Sequence, residues 1–132
     1  MSTHCNIAVK TEEGYETIYV HYDGYESHMY PMLTKNYNSE ESAKALVDLG
    51  DASSIEKHLE PLPGSTHTFD SPEKDVSVFY HRDRGEPWNN CRPTYLTKTE
   101  VINNSNYYAY IWEDGKWNVY KNGRQITVKG KQ

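Results

Sequence analysis

Cysteine is nearly absent from this sequence. Cys5 and Cys91 stand far apart, with no CxxC pair and no second cluster that would complete a zinc site. A structural metal finger is excluded, and both thiols are expected to be reduced, with at least one buried. Long apolar runs are missing too. No stretch approaches the roughly 18 residues that a membrane span needs, and no apolar leader follows Met1, so a cytoplasmic location without membrane partners is expected. A basic excess is also lacking: the formal charge is -5 and the sequence pI is about 5.6. Such a chain has no general attraction to phosphate backbones, and nucleic acid is not an expected partner.

The recognisable signatures of catalysis are missing as well. There is no Walker loop, GxGxxG or GxSxG. Enzymes that cleave phosphodiesters with two histidines carry H-x-[ST] twice, and here it occurs once, as "HTF" at His67. Neither cysteine has a motif that sets a base beside it. His21, His81 and Asp23 are metal-ligating types, but the helical HxxxH spacing is absent, so neither a metal nor another cofactor is expected.

Hydrophobic residues make up only 36% of the chain and mean hydropathy is -0.93, which alone leans toward disorder. Tyrosine fills the gap: 12 Tyr and three Trp supply apolar area that hydropathy undervalues. At 132 residues the chain is long enough to bury roughly two-thirds of its unfolded surface, so one domain spanning residues 1-132 is expected.

Apolar residues recur at a spacing of two in "CNIAVKT" and "ETIYVHY", which predicts a hairpin over residues 4 to 22. Within it Ile18, Val20 and Tyr22 form the core face. Residues 23 to 37 read as an ordered loop. Asn38 offers an N-cap with Glu41 behind it, predicting a helix to Gly50, and Ser53 with Glu56 repeats that spacing for a second short helix ending at Pro61. The two would form a helical hairpin. "EPLPGSTHTFDSPEK" reads as a surface loop and "DVSVFYHR" as a third strand. A helix opens at Thr97 with Glu100 three residues on. Asp114-Gly115 and Asn122-Gly123 between alternating runs predict a three-stranded meander over 107 to 128. The expected class is α+β: one antiparallel sheet of five or six strands with two or three helices on one face.

Three stretches concentrate functional side chains: "HYDGY" at 21 to 25, "THTFD" at 66 to 70 and "YHRDRGE" at 80 to 86. If they converge, His21, Asp23, His67, His81, Arg82, Asp83, Arg84 and Glu86 line one polar cleft, and His21, Asp23, Tyr25, His67, His81, Arg82 and Arg84 are the candidate binding residues. Arg82 and Arg84, two apart on an extended chain, would point the same way as a fork for phosphate or carboxylate. The five basic residues between Lys116 and Lys131, and the acids between residues 39 and 60, read as solvated faces.

"IYVHYDGY", "LVDLGDASSI" and "YHRDRGE", followed by "YIWEDGKWNVY", resemble the I-Y-C-H-W-D-G-Y, L-x-x-L-G-D-I-S-x-L, Y-x-R-D-R-G-E and W-D-x-G-x-W-Y-V-Y stretches of a group of small phage and prophage proteins. Val20 and Tyr22 stand in place of Cys and Trp, and "ESHMYPM" in place of a P-E-G-V-G turn. The resemblance implies a phage accessory gene, expressed in the host bacterial cytoplasm, and supplies no mechanism. Together with the missing catalytic constellation it favours action by binding. The expected role is a counter-defence inhibitor of a host defence protein, or a sponge for a small nucleotide ligand. Alternatives are a phosphoester-processing enzyme using His21, His67 and His81 with Arg82 and Arg84, and a structural or assembly factor that binds phage proteins. Pairing with its own copies as a homo-oligomer is compatible with each of these roles.

Overall fold

The computed structural model describes residues 4-60, 64, 67-104 and 108-126. Its first elements are the expected hairpin, β1 (Cys5–Thr11) and β2 (Gly14–Val20), with Cys5 opposite Val20 and Thr11 opposite Gly14. Ile18 and Val20 face the core as their spacing predicts, whereas Tyr22 lies past the strand and is exposed.

The segment expected as a loop is instead a helix, α1 (Glu26–Asn36), with Pro31 inside it. Proline removes one amide, but the residue whose carbonyl loses it, Ser27, is exposed. Met29 and Leu33, one turn apart, are fully buried, so packing outweighs the local penalty. The next helix, α2 (Glu40–Val47), is where the spacing put it, although its cap is one residue later than expected. Ser39 and Ser42 exchange side-chain bonds with each other's amides, in place of Asn38 and Glu41. Ala43, Leu46 and Val47 are its buried stripe.

The second helix of the expected hairpin does not form. Residues 52 to 54 are a strand, β3 (Ala52–Ser54), whose Ala52 pairs in parallel with Val20. "DVSVFYHR" is strand only at β4 (Val78–Phe79) and then turns into α3 (Tyr80–Arg84). After it come α4 (Trp88–Cys91), β5 (Thr94–Leu96) and α5 (Lys98–Asn104). α5 opens with the expected reciprocal cap, in which the Thr97 amide donates to Glu100 and the Glu100 amide to Thr97. The meander of β6 (Tyr108–Glu113), β7 (Lys116–Lys121) and β8 (Arg124–Ile126) follows. Both turn pairs take the positive φ that this turn demands: 59° and 76° at Asp114 and Gly115, 52° and 85° at Asn122 and Gly123. Lys129 and Lys131 of the basic stretch lie outside the described residues, as do Thr66 and the residues numbered 61 to 63 of the expected surface loop.

The α+β class stands, but the antiparallel sheet of five or six strands does not. The described residues build one mixed sheet of eight strands in the order β4-β3-β2-β1-β6-β7-β8, with β5 also on β2. β1 pairs with β6 in parallel, Cys5 opposite Tyr108 and Val9 opposite Trp112. The helices are not confined to one face. Ile7, Val9, Tyr110 and Trp112 pack with α1 and α2 in the main core, while Ala8, Ala109 and Ile111 pack on the other side against Val101 of α5. Strands covered on both faces are what a parallel central pair requires. Among the described residues no helix is long and apolar enough to cross a membrane.

Candidate functional site

The outer edge of β2 is shared by two short strands. β5 covers Tyr15 to Thr17 and β3 covers Val20. Tyr19 falls in the gap between them, and its amide donates not to a strand carbonyl but to Asp51 Oδ1 at 2.9 Å. A carboxylate thus completes the edge. The backbone of Asp51 ties in two further elements: its amide donates to the Cys91 carbonyl at 2.7 Å, and its carbonyl accepts from the Tyr80 amide at 3.2 Å. β2, α3 and α4 meet at this residue. Around it opens a cleft of about 320 Å³ lined by Tyr19, Tyr80, Arg84, Glu86, Asn90 and Cys91.

Burial drives the Asp51 carboxyl up to about pH 6, and the bond from the Tyr19 amide only partly offsets this. Arg84 is half-exposed, pairs with Glu86 at 3.3 Å, and lays its guanidinium 4.9 Å from the Phe69 ring centroid and 6.0 Å from that of Tyr80. Planar cation and phenol surfaces therefore line one wall. The Tyr19 hydroxyl extends the other wall into a histidine pair, 2.8 Å from His21 Nδ1 and 3.0 Å from His4 Nδ1. His4 Nδ1 also faces the His21 carbonyl at 2.8 Å and must donate to it, since a carbonyl only accepts. Burial, with the neighbouring His4, lowers the His21 pKa below the usual histidine range.

The seven residues singled out in the sequence divide here. Arg84 lines the cleft, and His21 joins it through Tyr19. Arg82 does not. "YHRDR" is helical, so two residues apart means roughly 200° around the axis and no fork forms. Arg82 points inward, where Nε and NH2 bond Asp83 at 2.9 Å each, NH2 bonds the Ser77 carbonyl at 2.9 Å and NH1 the Leu59 carbonyl. His67 is 1% exposed, with Nε2 at 3.2 Å from the Ser77 carbonyl and Nδ1 accepting from the Glu73 amide at 2.9 Å. Both ring nitrogens of His67 are committed to holding its loop, which leaves no free acid or base. His81 Nδ1 donates to the Glu86 carbonyl at 2.7 Å and its ring packs edge-on against Trp88. Asp23 and Tyr25 lie at the start of α1, beside His28.

Tyr19, Asp51, Tyr80, Asn90 and Cys91 were not among the candidates. The one local hint was "LGDAS", an acid directly after a glycine between apolar positions. Burial and the carboxylates of Asp51 and Glu86 raise the Cys91 thiol pKa, which disfavours the thiolate that nucleophilic attack needs. A larger hollow, about 480 Å³, lies between Lys10, Glu40, Trp112 and Glu113. The Glu113 carboxylate in it is already paired with Lys10 at 3.5 Å and Lys98 at 3.0 Å.

The cleft carries one negative charge fewer when Asp51 is protonated. An anionic ligand is expected to bind more tightly as pH falls through about 6. Asp51→Asn keeps an oxygen for the Tyr19 amide and should flatten that dependence between pH 7.5 and 5.5. Isothermal titration at the two pH values checks this, and an unchanged slope in the variant would show that Asp51 is not its source.

No family model matches the chain, and neither a curated protein nor a solved structure matches it.

Proposed function

We propose that this protein acts by binding, and that the Asp51 cleft takes a small nucleotide-type ligand: a planar ring against the tyrosines and an anionic group at Arg84. The observation that carries the reading is the convergence of two phenols, a half-exposed guanidinium, an amide side chain and a protonatable carboxyl in one opening of about 320 Å³. Such a mixture of flat apolar surface and few polar groups is how small-ligand sites are built, and the volume falls within their usual range. With the resemblance to small phage and prophage proteins, it supports a counter-defence accessory protein that sequesters a nucleotide signal in the host bacterial cytoplasm. The commitment of both His67 nitrogens to backbone groups weighs against the three-histidine phosphoester enzyme.

The test is to express the chain in a bacterial host, purify it quickly and identify retained small molecules and proteins by mass spectrometry. A nucleotide should copurify intact, and Arg84→Ala should release it with roughly tenfold or greater loss of affinity, since a charge-assisted bond to phosphate is among the stronger contacts available. Its folding should not change, because Arg84 is half-exposed and only stacks and pairs at the surface. A host protein retained equally well by the Arg84→Ala variant would replace this reading with direct inhibition. Recovery of hydrolysed product would replace it with catalysis.

A further inference from the structure

A second group of polar side chains lies outside the cleft. Asp23, His28 and Glu56 each bring one ligand atom to within 4.8 Å of the other two, and all three side chains are half-buried. They come from three places in the chain: the loop after β2, the first turn of α1 and the segment after β3. We propose that Asp23, His28 and Glu56 bind one divalent transition-metal ion, with Zn²⁺ as the representative of its class.

The donor set selects the metal. One imidazole and two carboxylates match zinc and its first-row neighbours, whereas calcium and magnesium favour oxygen alone. Two carboxylates and a neutral imidazole balance a double positive charge. Three protein ligands also leave a fourth tetrahedral position for water or an anion, as in zinc sites that remain open. Donors at about 2.0–2.2 Å from a tetrahedral ion lie roughly 3.5 Å apart, so side-chain rotations of about 1 Å close the group onto it.

An independent feature points the same way. His28 Nε2 is sealed from solvent and has no hydrogen-bond partner among the described residues. A shielded ring nitrogen without a partner costs stability unless something coordinates it or bonds to it. Asp75 adds a further negative field at Glu56. No cationic side chain among the described residues makes an ion pair with Asp23 or Glu56.

The three backbones are also held in place before any ion arrives. Gly24, next to Asp23, accepts a 2.7 Å bond from the fully buried Tyr110 hydroxyl. The amides of His28 and Met29 both donate to the Tyr25 carbonyl. Glu56 donates its amide to Ser77 Oγ at 2.7 Å, and its carbonyl accepts from the Tyr37 hydroxyl. Preorganisation of this kind lowers the entropy lost on binding.

The test uses the full chain, stripped with a chelator and titrated with Zn²⁺ by calorimetry, with bound metal counted by atomic emission. One equivalent should bind per chain and raise the unfolding temperature. His28→Ala and Asp23→Asn should each weaken binding about tenfold or more, at least the effect seen when mere supporting groups of a metal site are removed. Asparagine tolerates the φ of 59° at position 23, so the second variant keeps its backbone, which circular dichroism without metal verifies. His58→Ala, at an exposed position, should bind as the parent does. The proposal is overturned if Zn²⁺ does not bind above background, or if His28→Ala and Asp23→Asn both retain parental affinity, as they would were the His4 and His21 pair the real acceptor.

Discussion

Asp83→Ala is expected to destabilise the protein by about 3–5 kcal/mol, the range for removing one partner of a buried ion pair. Asp83 is 5% exposed and accepts from three donors at once, the Phe79 amide at 2.8 Å and Arg82 Nε and NH2 at 2.9 Å each, with His67 Nε2 3.3 Å away. Its removal would strand a mostly buried guanidinium and an amide at the start of α3. The carboxyl pKa lies below the ordinary range even though burial, the largest single influence, opposes this; Arg82 and the Phe79 amide outweigh it. Because the folded-state pKa is depressed, the stabilisation is complete above the unfolded value near 3.8 and is lost as pH falls through the folded one. Urea unfolding at pH 7 and pH 3 measures both parts. The gap between parent and Asp83→Ala should shrink at the lower pH, and a gap that is small at pH 7 would show that the cluster is dispensable.

Gly50→Ala is the second large effect. Gly50 has φ of 88°, and a Cβ there would sit 2.4 Å from the Cys91 carbonyl oxygen and 3.2 Å from the Trp88 ring. The left-handed backbone costs an alanine about 1–2 kcal/mol and overpacking against a backbone atom about 1–3 kcal/mol more. A loss on the order of 3 kcal/mol is therefore expected in chemical denaturation. The contact that must give way is the one bringing α4 to Asp51, so ligand affinity should fall together with stability. A fully stable Gly50→Ala protein would contradict the close approach of these segments.

What the sequence revealed and what it concealed follow from the range of the interactions involved. The Asp-Gly and Asn-Gly turns and the Thr97–Glu100 cap are decided within four residues, and each formed where expected. Ser53 and Glu56 show the same capping spacing as Thr97 and Glu100. There, however, Ala52 and Ile55 are fully buried and Ala52 pairs with Val20, so contacts distant in sequence override the local signal. The parallel β1–β6 pair was readable only indirectly. "CNIAV" and "YAYIW" are apolar at nearly every position, which marks strands covered on both faces, whereas alternation alone suggested a one-sided sheet.

The cleft was harder to see because its members come from residues 19, 51 and 80 to 91, and no spacing connects them. Arg84 was found as one arm of the fork that an extended "YHRDR" would present. Arg82 looked equivalent until helical geometry turned it inward. Asp51 acquires its role from a missing strand pairing at Tyr19, a feature of sheet topology that no local pattern encodes.

Amide chemical shifts followed during titration with a panel of mono-, di- and cyclic nucleotides test the central claim most directly, because they report where a ligand sits as well as whether it binds. The account predicts saturable shifts centred on Tyr19, Asp51, Tyr80, Arg84 and Asn90 for at least one nucleotide, abolished in Arg84→Ala. Shifts centred on the hollow beside Lys10 and Glu113, or no shifts with any nucleotide at millimolar concentration, would contradict it.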